Sequence, residues 1–158
     1  ACLTQFVIIE NNAAVFSRDL PIGGNYITEE LREKLKLSFS EAEGLKIRCF
    51  KEKHLPNDTL EVIDQSCQRV ARDIQQTLNL YLSHSPDTTL SQIYLCGGTS
   101  RVLPMRKWIQ ELTGIQTNYL NPFEQITHQK SGWDEGTLET YQAICPVALG
   151  LATRSRGD

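Results

Sequence analysis

A chain of 158 residues, 40% apolar and 22% charged, has the material for one soluble core, and a net charge of −3 without a basic stripe gives no reason to expect a nucleic-acid partner. No apolar run approaches the ~20 residues that a bilayer-spanning helix requires, and no signal peptide opens the sequence, so direct membrane insertion is not expected. The five cysteines (Cys2, Cys49, Cys67, Cys96 and Cys145) are odd in number and form no Cys-x-x-Cys pair, which argues for reduced thiols used as small core hydrophobes in the cytoplasm rather than for zinc or disulfides.

The opening "ACLTQFVII" begins in mid-pattern, without an initiator Met, a cap or a turn, and reads as a chain cut inside a strand or hairpin. Residues 3–9 alternate and then run apolar, Asn11 and Asn12 make a turn, and "AAVFSRDL" continues, so a β-hairpin is predicted. "PIGG" breaks the pattern; Thr28 is the expected cap of a helix over "EELREKLKL", and Ser40 of a second over "SEAEGLKIRCF". From Thr59, the residues Leu60, Ile63, Cys67, Val70, Ile74, Leu78 and Tyr81 recur at steps of three and four. That spacing predicts a long helix with one buried stripe.

"SQIYLC" reads as a short buried strand, Gly97–Pro104 as a loop, and Met105–Leu112 as a helix stopped by Gly114. "IQTNYL" is another strand and "NPFEQITHQKSGWDEG" an irregular surface stretch. "ETYQAICPVALGLATRS" is a helix interrupted or started at Pro146. Strands mixed with helices, and a strand–loop–helix after residue 91, predict an α/β fold with helices over a mixed central sheet.

No nucleophile stands beside a base. His54, His84 and His128 fall in separate loop or helix-end contexts, metal-ligand spacing is absent, and neither G-x-S-x-G nor a Walker loop occurs. Asp134–Gly136 spells Asp-x-Gly, but it follows Trp133 in a polar loop and reads as a turn.

Two constellations remain. "GGTSR" (Gly97, Gly98, Thr99, Ser100, Arg101) places bare backbone and hydroxyls between a strand and a helix. On spacing alone it is either a structural βα turn or a loop that a phosphate or a flat ring approaches. Glu43 and Lys46 stand three apart on one helix face, as a surface ion pair or as a carboxylate and ammonium gripping a ribose or base.

Taken together and in order, "RDLPIGG", "ITEEL", "SEAEGLK" and "LCGGTSRVLP" resemble the second lobe of the actin/Hsp70/FtsA superfamily of nucleotide-binding proteins. The family they resemble most is PilM, the cytoplasmic actin-like component of type IV pilus assembly. The closing "CPVALGLATRS" is similar to that family's final helix, and the resemblance covers nearly the whole chain. It implies an incomplete actin-like domain over 1–158: a sheet-containing subdomain (1–24 and 89–144), a mainly helical subdomain (25–88), and a C-terminal helix (145–158) that crosses to the first lobe.

The resemblance also implies an adenine-nucleotide (ATP/ADP) pocket lined by Gly97, Gly98, Thr99 and Ser100 on one side and by Glu43 and Lys46 on the other. Gly23 and Gly24 border it. The family's phosphate-binding Asp-x-Gly, its first lobe with the metal-positioning aspartate, and the groove for the N-terminal peptide of its membrane partner PilN all lie before the position where this sequence starts. Phosphoryl transfer is positioning around Mg²⁺, so no ATPase activity is expected of this chain alone. The expected role is a cytoplasmic scaffold, peripheral to the inner membrane through partners, in a pilus or related competence or secretion system. The alternative is part of an active FtsA-like or Hsp70-like ATPase whose other lobe is missing or supplied in trans. If the last helix lacks its lobe, Val147, Leu149 and Leu151 are expected to be bare, so that the helix docks elsewhere or pairs between two copies as a homodimer or a swap.

Overall fold

The computed structural model describes residues 2–50, 55–124 and 135–153. Strands β1 (Thr4–Glu10) and β2 (Ala13–Leu20) form the expected hairpin, paired from Thr4↔Leu20 to Glu10↔Ala13 with a register shift at Ile8/Ile9. Asn11 and Asn12 both take positive φ, 48° and 62°, the left-handed pair that a two-residue turn needs to match strand twist. Phe16 bridges Phe6 and Tyr81 at ring distances of 6.0 and 5.3 Å, which seats the hairpin on the end of the long helix.

Helix α1 (Gly24–Leu35) starts at Gly23, its N-cap, and not at Thr28. Thr28 lies inside the helix and buried because its hydroxyl is engaged by neighbours on the next helix. Helix α2 (Phe39–Arg48) is capped by Ser38 rather than by Ser40. "SFSEAE" contains two overlapping Ser-x-x-Glu boxes, and the first is used: the Glu41 amide donates to Ser38 Oγ at 3.3 Å and the Ser38 amide to Glu41 Oε2 at 2.8 Å. The second box fails because Glu43 is drawn to Lys46 and Thr28.

Helix α3 (Asn57–His84) is the spine of the lobe and outruns the predicted span at both ends. Ile63, Cys67, Val70, Ile74 and Leu78 are buried as the stripe requires, while Leu60 and Tyr81 lie at its margin. Against it pack Ile27 and Leu31 of α1, Ala42 and Cys49 at α2, and Val102, Met105 and Ile109 leading into and along α4 (Leu103–Thr113). Two polar clamps fix α4 to α3: Trp108 Nε1 donates to Asp64 Oδ1 at 2.8 Å, and Gln75 Nε2 donates to the Leu112 carbonyl.

Strand β3 (Ile93–Leu95) pairs in parallel with β4 (Thr117–Tyr119). No ladder joins this pair to the hairpin among the described residues, so the strands make two two-stranded sheets. The segment expected as a loop at Gly97–Pro104 is instead a 3-10 turn (Gly98–Arg101) running straight into α4, with Pro104 in its first turn, where a missing N–H costs nothing. Gly114 ends α4 as expected, at φ 71° with its amide on the Gln110 carbonyl.

Helix α5 (Glu135–Ile144) takes in Gly136, so that part of the Asp134–Gly136 turn is helical; Asp134 and Trp133 lie outside the described residues, as do His54, His128 and the chain after Thr153. Pro146 starts a separate α6 (Pro146–Ala152), which buries no residue. Ile144, Val147 and Leu151 are exposed, whereas Leu149 is half-buried.

Candidate functional site

The helical hairpin α1–α2 builds one polar cluster. Three residues along α2 carry Lys46 back over Glu43, and both face α1 one turn from its start. Lys46 is only 4% exposed, so the pair is not the solvated surface bridge that spacing alone allows. The ammonium has three protons and three acceptors: the Gly24 carbonyl at 3.2 Å, Thr28 Oγ1 at 2.9 Å and Glu43 Oε2 at 2.6 Å. Thr28 Oγ1 also lies 2.5 Å from Glu43 Oε2. Partial burial by itself would raise the Glu43 pKa; the hydrogen bonds from Lys46 and Thr28 and the nearby positive charge outweigh it and hold the carboxyl below its ordinary value of 4.5.

The loop after β3 divides into two kinds of residue. Gly97 sits at φ 90°, a conformation that disfavours any side chain, and its amide donates at 2.7 Å to the Ala143 carbonyl, closing the C-terminal end of α5. Ser100 is buried, and its hydroxyl donates to the Gly97 carbonyl at 2.7 Å. Arg101 pairs with Glu139 at 2.9 Å and lies 5.6 Å over the Tyr119 ring. These three brace the scaffold. Thr99 and Gly98 do not: Gly98 is exposed with open space where a Cβ would stand, and Thr99 reaches across to α1.

The crossing point is Gly24. A Cβ built there would lie 2.5 Å from Thr99 Oγ1 and 3.4 Å from Lys46 Nζ, so only glycine leaves Thr99 in place. The structure therefore gathers Gly24, Glu43, Lys46 and Thr99 at one point, with Gly23 beside them as the α1 cap and Gly98 at the open edge. Gly97 and Ser100 stand behind, and Arg101 is turned toward α5. Thr28 is the member that sequence reading missed. Once α1 is known to start at Gly24, a hydroxyl one turn inside its buried face is the signal that finds it.

An open groove of about 700 Å³ lies elsewhere, lined by Tyr94, Asn118, Tyr119, Leu120, Asn121 and Pro122, and it contains none of the gathered residues. Among the described residues no group of three His, Cys, Asp or Glu side chains is placed to hold a metal ion. Burial raises the pKa of Cys49, Cys67 and Cys96, as expected of structural rather than reactive thiols.

A family model described as type IV pilus assembly protein PilM matches residues 1–156. Among solved structures, the chain is similar to one described as the PilM-PilN type IV pilus biogenesis complex, with a TM-score of 0.79 at 19% identity over 96% of this chain and 42% of that one. It is also similar to the ethanolamine utilization protein EutJ from Carboxydothermus hydrogenoformans, with a TM-score of 0.60 at 22% identity over 75% of this chain and 40% of that one. These likenesses are of fold, and they agree with an α/β lobe of actin-like type. The chain spans less than half the length of either structure.

Proposed function

The chain belongs to the PilM family of type IV pilus assembly proteins, and from that premise we propose that it carries one wall of an adenine-nucleotide cleft in an inner-membrane pilus assembly scaffold. The observation that carries this reading is the close approach at Gly24, where the Lys46–Glu43 cluster of α2 meets Thr99 of the loop after β3. Nothing in packing alone calls for a buried ammonium, a carboxylate and a bare backbone at the edge of an apolar core. Buried charge is costly unless fully paired, and this one is paired.

The residues present suit an adenosine. Glu43 offers an acceptor to a ribose hydroxyl, Thr99 a hydroxyl, and Gly98 a stretch of backbone over which a ring can lie without meeting a Cβ. The gathered residues address the adenosine end of such a ligand, and the described residues hold no group of three His, Cys, Asp or Glu side chains placed for a metal ion. In this reading phosphate and metal are held by the rest of a complete protein.

In the proposed scaffold the complete protein engages an inner-membrane partner of the PilN kind on the cytoplasmic side. No helix of the described residues is long and apolar enough to cross a membrane; in this reading the membrane link runs through that partner. The test is saturation binding of a non-hydrolysable ATP analogue by calorimetry, against Glu43→Gln. Saturable binding that Glu43→Gln weakens by on the order of tenfold is expected, as for loss of a charged hydrogen-bond acceptor. Binding indifferent to that change, or none, contradicts the reading.

A further inference from the structure

The Lys46–Glu43 pair does not stand by itself. Thr28 is fully buried on α1, one turn after Gly24, and its hydroxyl lies between the two charges. A hydroxyl has one proton to give. It accepts from Lys46 Nζ at 2.9 Å, and two acceptors compete for its proton: Glu43 Oε2 at 2.5 Å and the Gly24 carbonyl at 3.2 Å. The shorter, charge-assisted bond takes the proton, so Thr28 does not make the ordinary back-bond of a helical threonine to the carbonyl four residues before it.

Two consequences follow from the count of donors and acceptors. Lys46 has no proton left for a ligand, because its three are held by Gly24, Thr28 and Glu43. This differs from the expectation that the ammonium itself touches ribose or base. Glu43, in contrast, takes both of its bonds on Oε2, and Oε1 has no partner among the described residues in a side chain that is 34% exposed.

We propose that Thr28 is a positioning residue: it locks the Glu43 carboxylate so that one oxygen is committed to the protein and the other is presented to a hydroxyl- or amino-bearing ligand. The ligand half of this statement rests on the nucleotide reading above; the locking half does not. Without the Thr28 hydroxyl, Glu43 is held by one flexible i,i+3 partner and its free oxygen loses a fixed direction.

The test compares Thr28→Val, which keeps the shape and removes the hydroxyl, with Thr28→Ser, which keeps the hydroxyl. Three readouts are taken: the dissociation constant for a non-hydrolysable ATP analogue, the NMR titration of the Glu43 side-chain carboxyl, and thermal unfolding. Expected are a loss on the order of tenfold in affinity and a Glu43 titration moved up toward its ordinary value in the Val variant, with the Ser variant within about twofold of the parent. A folded Val variant that binds as the parent does and leaves Glu43 unmoved overturns the proposal. Should the Val variant not fold, the Ser variant decides: parental titration and affinity support the hydroxyl's role, and loss of either overturns it. Should the parent bind no nucleotide, the function proposed above fails, while the Glu43 titration still decides whether Thr28 positions that carboxylate.

Discussion

In the α1–α2 wall, Lys46, Glu43 and Thr28 turn their polar atoms toward one point beside Gly24. In the loop after β3, Gly97, Ser100 and Arg101 turn theirs back into the scaffold, onto Ala143, the loop itself and Glu139. Both regions are polar and both lie at the edge of the same core, yet they serve different ends. The first concentrates charge where backbone is bare and leaves one acceptor oxygen over. The second consumes its donors to hold a turn. A glycine- and hydroxyl-rich motif is thus divided in use: Gly98 and Thr99 border the gathered residues, while their neighbours fix the loop that presents them.

Lys46→Met should break the comparison most visibly. It removes three hydrogen bonds from a buried ammonium while keeping the stem, and a loss of about 2–3 kcal/mol in urea-induced unfolding is expected. Gly97→Ala comes next, at about 1–2 kcal/mol, because a Cβ must be carried at φ 90°. Arg101→Met should cost less than ~1 kcal/mol, since its partner Glu139 is 56% exposed and water screens the pair. Gly98→Ala should change stability by no more than ~0.5 kcal/mol, with open space around the new methyl. If Arg101→Met were as damaging as Lys46→Met, or Gly98→Ala as damaging as Gly97→Ala, the division between the two regions would not hold.

Much of the fold was legible because it is set locally. The hairpin follows from alternation around Asn11–Asn12, the long α3 from its stripe, and the end of α4 from Gly114. Family-level resemblance carried the fold class further than periodicity could. The start of α1 and the cap of α2 were not legible, because each was decided by a contact with another element. Thr28 and Ser40 are equally good caps by residue type. Thr28 lies a turn inside a helix that starts at Gly24, with its hydroxyl bonded to Glu43 and Lys46, and the Glu43 carboxylate of the Ser40 box is bonded to Lys46 and Thr28 instead.

At the site, spacing alone showed that Glu43 and Lys46 can reach the same point, but not that Lys46 is buried, which depends on α1 lying over it. The separation of Gly97 from Gly98 was equally hidden, since the Gly97 amide meets α5 across a long stretch of chain.

The most direct test maps where a nucleotide touches the protein. An amide-resolved NMR titration of the labelled chain with an ATP analogue should shift Gly24, Glu43, Gly98 and Thr99 and leave Asn118, Leu120 and Asn121 in place. Shifts confined to the Tyr94–Asn118 groove, or no shifts at saturating nucleotide, would contradict the account.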